Sequence, residues 1–167
     1  MYREKMQKRI EEAVMDSYDS MYRIALTYTG NGTDAVHIVR DSAYKAIRNA
    51  GQVKNERFIG TWIYKNLVNT AMDYMSKDQK GISFETLFDV RESGKEYICR
   101  GMNLEMILEN LSGREKIVVI LHFFENKKIE EIAVILNANI STVNALLYRS
   151  LKKMGIEMVE GELQYEG

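Results

Sequence analysis

Proline is absent from all 167 residues, and cysteine occurs once, at Cys99. A chain without proline lacks the strongest helix breaker, so uninterrupted helices are open to it. One thiol excludes an internal disulfide framework and any site built from several cysteines, and it suits a reducing cytoplasm. Long apolar runs are missing too. The longest aliphatic stretch, Ile117 to Leu121, falls far short of the ~20 residues that a bilayer demands. The opening MYREKMQKRIEE is charged throughout, which is not the pattern of a signal peptide.

Catalytic groupings are equally scarce. The two histidines, His37 and His122, stand far apart and without a companion motif. His122 lies inside an apolar run and reads as a core or boundary residue, while His37 could titrate at a charged interface. Glu125, Glu130 and Glu131 read as a solvated face and a helix N-terminus rather than a metal site. No glycine loop fit to cradle a phosphate is present. These absences lead us to expect no enzyme, cofactor or metal.

What the chain does have is hydrophobic residues at 46% and charged residues at 28%, the balance of a protein that fills a core. The ten methionines read as core filler. The net charge of −1 is unevenly spread. Residues 1–78 carry 12 cations against 10 acids, residues 104–154 carry 7 against 6, and residues 155–167 carry 4 acids alone. Thr142–Lys153 holds Arg149, Lys152 and Lys153 with no acid. So small an excess gives weak duplex affinity by itself, because each phosphate contact needs a cation. DNA binding would then rely on a larger partner.

Strand-type alternation is scarce, and the apolar spacing predicts an all-α protein of five helical stretches in two small domains. Val14, Tyr18, Met21, Tyr22, Ala25 and Thr29 mark one face of the first stretch, which Gly30-Asn31-Gly32 breaks. The second runs from Asp34 to Arg48 with Ala35, Ile38, Val39, Ser42, Ala43, Ala46 and Ile47 inward. Its outer face shows His37, Arg40, Asp41, Tyr44, Lys45 and Arg48. A third helix carries Phe58, Ile59, Trp62, Ile63, Leu67, Ala71 and Met75. Residues 78–103, which lack a sustained period, read as a linker between domains 8–77 and 104–158, followed by an acidic tail, 159–167. Ser112-Gly113-Arg114-Glu115 has capping-box spacing, and the next helix contains Ile117, Val118, Ile120, Leu121 and Phe124.

The sharpest local pattern lies at Ile129–Met154. A helix-turn-helix needs a small residue where its helices cross, and Ala133 is there. Four positions on, the turn needs a residue tolerant of left-handed backbone, which Asn137 supplies. Val143, six further on, anchors the second helix, and Asn139 or Ser141 can cap it. The exposed side of that helix is then Ser141, Thr142, Asn144, Ala145, Tyr148, Arg149 and Lys152, a set able to reach base edges and phosphates in a major groove. The competing reading is an αα-hairpin used only for packing.

With these residues in view, the chain resembles the extracytoplasmic-function sigma factors of RNA polymerase over nearly its whole length. The sigma-4 pattern is similar at Leu111, Arg114, Glu131-Ile132-Ala133, Thr142-Val143 and Arg149, and the sigma-2 pattern at Phe58, Trp62-Ile63, Asn69 and Asp73. The Tyr-Lys and Phe-Phe-Glu stretches resemble the SigV-type subgroup, which implies a membrane-anchored anti-sigma protein as partner. The resemblance further implies promoter DNA and core RNA polymerase as partners. The helix at 141–152 would read the −35 element as duplex. Residues 49–57, with Lys54, Asn55 and Arg57, correspond to the loop that captures a flipped −10 base. Lys65, Asn69 and Lys77 would meet the non-template strand or phosphate. Trp62 belongs to the same region, although its place on the apolar stripe reads as core. Asp34, His37, Arg40, Asp41, Tyr44 and Lys45 would dock on the polymerase clamp.

Departures from the family pattern matter. Asp34-Ala35-Val36-His37-Ile38-Val39-Arg40-Asp41 lacks two acids usual on the core-binding helix and replaces a glutamine by arginine. Asn144 stands where a basic residue follows Thr-Val, and Ser76 where an arginine follows Asp73. The alternative is a degenerate sigma-like protein, or a stand-alone helix-turn-helix regulator, that does not use core polymerase.

Overall fold

A computed structural model describes residues 1–77, 110–159 and 162–165 of the chain. The linker expected at 78–103 and the first residues of the second domain lie outside the described residues. Four helices form the N-terminal half: α1 (Tyr2–Asp16), α2 (Tyr18–Thr29), α3 (Gly32–Arg48) and α4 (Ile59–Lys77). Three more follow: α5 (Gly113–Val119), which runs on as a π turn over Ile120–Phe124, α6 (Ile129–Leu136) and α7 (Ile140–Lys153).

α1 is a helix that the charge pattern hides. Only Met6 and Ile10 are fully buried on it, four residues apart and therefore on one narrow strip. The single stretch expected from Val14 to Thr29 is broken at Ser17, whose backbone leaves the helical region at φ −103° and ψ 8°. Gly30 ends α2 in left-handed backbone at φ +67°, its N–H donating to Leu26 O at 2.7 Å, the usual helix stop. Asn31 then caps α3, its side chain accepting from the Asp34 N–H at 3.1 Å.

α3 buries Ala35, Ile38, Val39, Ser42 and Ala46 as its spacing implies. α4 buries Ile63, Tyr64, Leu67, Val68 and Ala71. Phe58 corrects the expectation of an inward helical residue: it is 50% exposed. The Asn55 side chain accepts from the Arg57 N–H at 3.0 Å and holds Glu56–Phe58 in a 3-10 turn. The α-helical path begins one residue later, and Ile59 takes the buried position.

The Ser112/Glu115 capping box is formed at the start of α5. After it, the Glu125 N–H reaches back five residues to Ile120 O at 3.2 Å, the wide ring of a π turn. His122 is a boundary residue, half-buried with Nδ1 at 3.0 Å from Lys127 O. The expected acidic tail is instead partly an antiparallel hairpin, β1 (Ile156–Val159) with β2 (Glu162–Tyr165), paired Ile156 to Tyr165 and Val159 to Glu162. Ile156, Met158, Leu163 and Tyr165 alternate with polar residues, a period of two that the concentration of acids hides.

The two halves share one continuous apolar core running from Met6 to Leu151. Four polar contacts sew the seam. Ser17 and Ser20 donate to the two oxygens of Glu125 at 2.8 and 3.1 Å, Thr61 donates to Glu131 Oε2 at 3.1 Å, and Lys65 Nζ donates to Val134 O at 3.2 Å. Burial, and after it the neighbouring Glu125 carboxylate, pushes the Tyr64 phenol pKa up. Glu125→Ala should destabilise the protein by about 1–2 kcal/mol, since two donors lose their acceptor at a part-buried site. Thermal unfolding checks this, and an unchanged midpoint would mean that the carboxylate contributes nothing.

Candidate nucleic-acid interface

α6 and α7 meet at 110°, within the range of a DNA-binding helix-turn-helix. Asn137 ends α6 in left-handed backbone at φ 52° and ψ 49°. Ala133 is 7% exposed, and Val143 is fully buried. The spacing argument for Ala133, Asn137 and Val143 therefore stands in three dimensions. The cap differs from expectation: Asn139 occupies the N-cap without a side-chain hydrogen bond, and Ser141 lies inside the helix. Asn137→Ala should cost about 1 kcal/mol, because alanine lacks the local hydrogen bonds that let asparagine visit left-handed backbone. Chemical denaturation measures it, and no loss would show that the turn carries no strain.

With Val143, Leu146, Leu147 and Leu151 turned inward, the opposite side of α7 faces outward. Ser141, Asn144, Ala145, Tyr148, Arg149 and Lys152 are exposed, and Thr142 is half-buried. Arg149 is not simply a solvated cation. Its Nε donates to Glu115 Oε2 at 2.7 Å, while Lys153 Nζ donates to Glu115 Oε1 at 2.8 Å. The Glu115 side chain is fully buried. Burial alone would raise its carboxyl, but the hydrogen bonds from Lys153 and the Ser112 N–H, with the charges of Lys153 and Arg149, hold it below the ordinary 4.5. A depressed folded-state pKa stabilises the fold above the unfolded value and is lost as pH falls through the folded one. The stability of the wild type should thus drop below about pH 4.5 more steeply than that of Glu115→Gln. Denaturant midpoints measured from pH 7 to 3 check this, and parallel curves would exclude it.

The sequence singled out Glu115 only as a helix cap. Its pairing with α7 joins residues 34 and 38 positions apart, which no local pattern signals.

In the N-terminal half, Lys54, Asn55, Arg57 and Asn69 are exposed. The Arg57 guanidinium lies 5.6 Å from the centre of the Phe58 ring, so this corner offers a cation and an aromatic face together. Trp62 is half-buried, with Nε1 donating to Ala46 O at 3.0 Å, in keeping with its core reading. Lys65 is engaged by α6, and the side chain of Lys77 lies outside the described residues. On α3, His37, Arg40, Asp41 and Tyr44 are exposed, while Asp34 and Lys45 are half-buried. Arg48 stacks at 5.3 Å from the Tyr44 ring centre. The three sets stand on different elements: α7, α4 with its preceding loop, and α3.

Among the described residues, no group of three or more His, Cys, Asp or Glu side chains could hold a metal ion. No single helix there is long and apolar enough to cross a membrane.

Residues 101–154 match the family described as Sigma-70, region 4. The chain is 37% identical over 151 residues to RNA polymerase sigma factor SigV of Bacillus subtilis, covering 90% of this chain and 91% of the relative. The chain belongs to the RNA polymerase sigma factors. The sigma factor is also 26% identical over 153 residues to sigma factor YlaC of the same organism, covering 83% and 88% of the two chains. With the ECF RNA polymerase sigma-E factor of Haemophilus influenzae it shares 25% identity over 175 residues, covering 94% and 89%. Since the first two matches span both halves, the sigma-2 resemblance rests on more than its few motif residues.

Proposed function

We propose that this sigma factor directs core RNA polymerase to specific promoters as a non-enzymatic initiation factor of the extracytoplasmic-function type. The observation that carries the reading is α7, an acid-free helix seated by Val143 across α6 and turned outward along its Ser141–Lys152 side. Its N-terminal residues would lie nearest the base edges of the −35 duplex, with Arg149 reaching a base edge farther along the helix and Lys152 toward the phosphates. Lys54, Asn55, Arg57 and Asn69 would handle the melted −10 strand, where unstacked bases need polar and aromatic surfaces. Trp62 supports that corner from within. The outer face of α3, through Asp34, His37, Arg40, Asp41, Tyr44 and Lys45, would dock on core polymerase. The SigV-type resemblance supports a cytoplasmic setting and a membrane-anchored anti-sigma protein as the restraining partner.

Promoter geometry adds a requirement. Elements named for positions −35 and −10 lie about 25 base pairs, or roughly 85 Å, apart on B-form DNA. A compact chain of this length has a radius of gyration of only about 15 Å. One closed body cannot set α7 on one element and α4 on the other. Moreover, the seam holds Lys65 against Val134 O, away from any strand. We therefore read the packed arrangement as the free state, which opens at the α4–α6 seam when polymerase and promoter are engaged.

Reconstitution with core polymerase tests the function directly. Transcription should start at a cognate promoter only when this chain is present, and His37→Asp should tighten core binding severalfold by restoring an acid to α3. Tight binding to a palindromic duplex without polymerase would overturn the reading. Unchanged core affinity in His37→Asp would instead remove that position from the docking face.

A further inference from the structure

We propose that Glu115 is a positioning residue for the −35 reader, fixing Arg149 on the DNA-facing side of α7 before DNA arrives. The proposal rests on the assignment of α7 to the −35 duplex. Glu115 sits at the N-terminal end of α5, outside the reading helix, and its side chain is fully buried. A buried carboxylate is tolerated only when its lone pairs are met, and here they are met from three directions. Oε1 accepts from the Ser112 N–H at 2.9 Å and from Lys153 Nζ at 2.8 Å, and Oε2 accepts from Arg149 Nε at 2.7 Å.

Two consequences follow from this geometry. Arg149 and Lys153 are four residues apart and so lie on one side of α7. One immobile acid gripping both sets the rotation of that helix about its own axis. That rotation decides how Ser141, Ala145, Tyr148 and Lys152 are presented. The grip on Arg149 is also made through Nε, the edge nearest the chain, and the side chain stays 50% exposed. Its rotamers are thus restricted in advance, so less entropy is lost when DNA binds.

The same pair lowers the local charge. Arg149, Lys152 and Lys153 are partly offset by Glu115, which reduces attraction to any duplex regardless of sequence. Glu115 therefore trades general affinity for discrimination. Where an anion acted only as a structural support, its loss would weaken binding to all sequences alike.

The test uses the full chain with core polymerase. Binding is measured to a promoter duplex recovered by selection and to the same duplex with its −35 element scrambled, at several salt concentrations. Arg149→Ala should lower the discrimination between the two about tenfold, the scale of one lost specific contact. Glu115→Gln, which keeps an acceptor for the cap and removes the charge, should lower it by a similar factor. Its affinity for the scrambled duplex should be unchanged or raised, with a salt slope steeper by about one. The double variant should match Arg149→Ala alone. Arg149→Lys retains the charge without the Nε–H that Glu115 holds; it perturbs the fold least and should lose discrimination as well.

Additive losses in the double variant, full discrimination in Arg149→Lys, or equal weakening on both duplexes in Glu115→Gln would each overturn the proposal. A loss in Arg149→Ala with none in Glu115→Gln would overturn it while leaving Arg149 on the DNA face. No loss in Arg149→Ala would overturn it together with the assignment of Arg149 to promoter contact.

Discussion

The packing of α4 between its own half and the helix-turn-helix is the constraint from which the other features follow. Ile63, Tyr64, Leu67, Val68 and Ala71 are buried along it, a wider apolar surface than one neighbouring helix covers. α3 and α2 take part of that surface, and α6 takes another part. Because α6 is also the first helix of the helix-turn-helix, packing it on α4 fixes where α7 stands. The Ser141–Lys152 side of α7 remains outward, while Thr61 and Lys65 are drawn into the seam.

Acidic side chains do much of the polar work in this arrangement, which the near-neutral net charge conceals. Glu115 joins α5 to α7, Glu125 joins the π turn to α2, and Glu131 bonds the Lys128 N–H on its own helix and Thr61 on α4. Each carboxylate is met by at least two donors. A buried or half-buried acid of this kind costs little only while those donors are in place. The seam acids are also less buried than Glu115, so parting the halves exposes them to water at modest cost, whereas removing the donors of Glu115 would strand a charge.

Much of this was legible in the residues. The inward faces of α3 and α7, the capping box at Ser112, the left-handed Asn137 and the anchoring Val143 all follow from spacing, because helical geometry repeats within a few residues. The core reading of Trp62 followed from its place on an apolar stripe. Less legible was α1, where two buried residues among many charges leave almost no periodic mark. Phe58 misled because the Asn55 turn postpones the helix by one residue, and the break at Ser17 leaves no glycine or proline to mark it.

What the sequence determined by itself was therefore the local and the periodic: an all-α protein, a helix-turn-helix with a named outward face, and membership of a family whose motifs run in order along the chain. What only the tertiary structure decided were the long-range pairings. Arg149 sits against Glu115, Lys65 against α6, and Ser17 and Ser20 against Glu125. The physical reason is that a hydrogen bond or ion pair between distant residues carries no period. It arises only when packed helices bring opposite charges or donors within about 3 Å, and the identity of the partner depends on how the whole core closes.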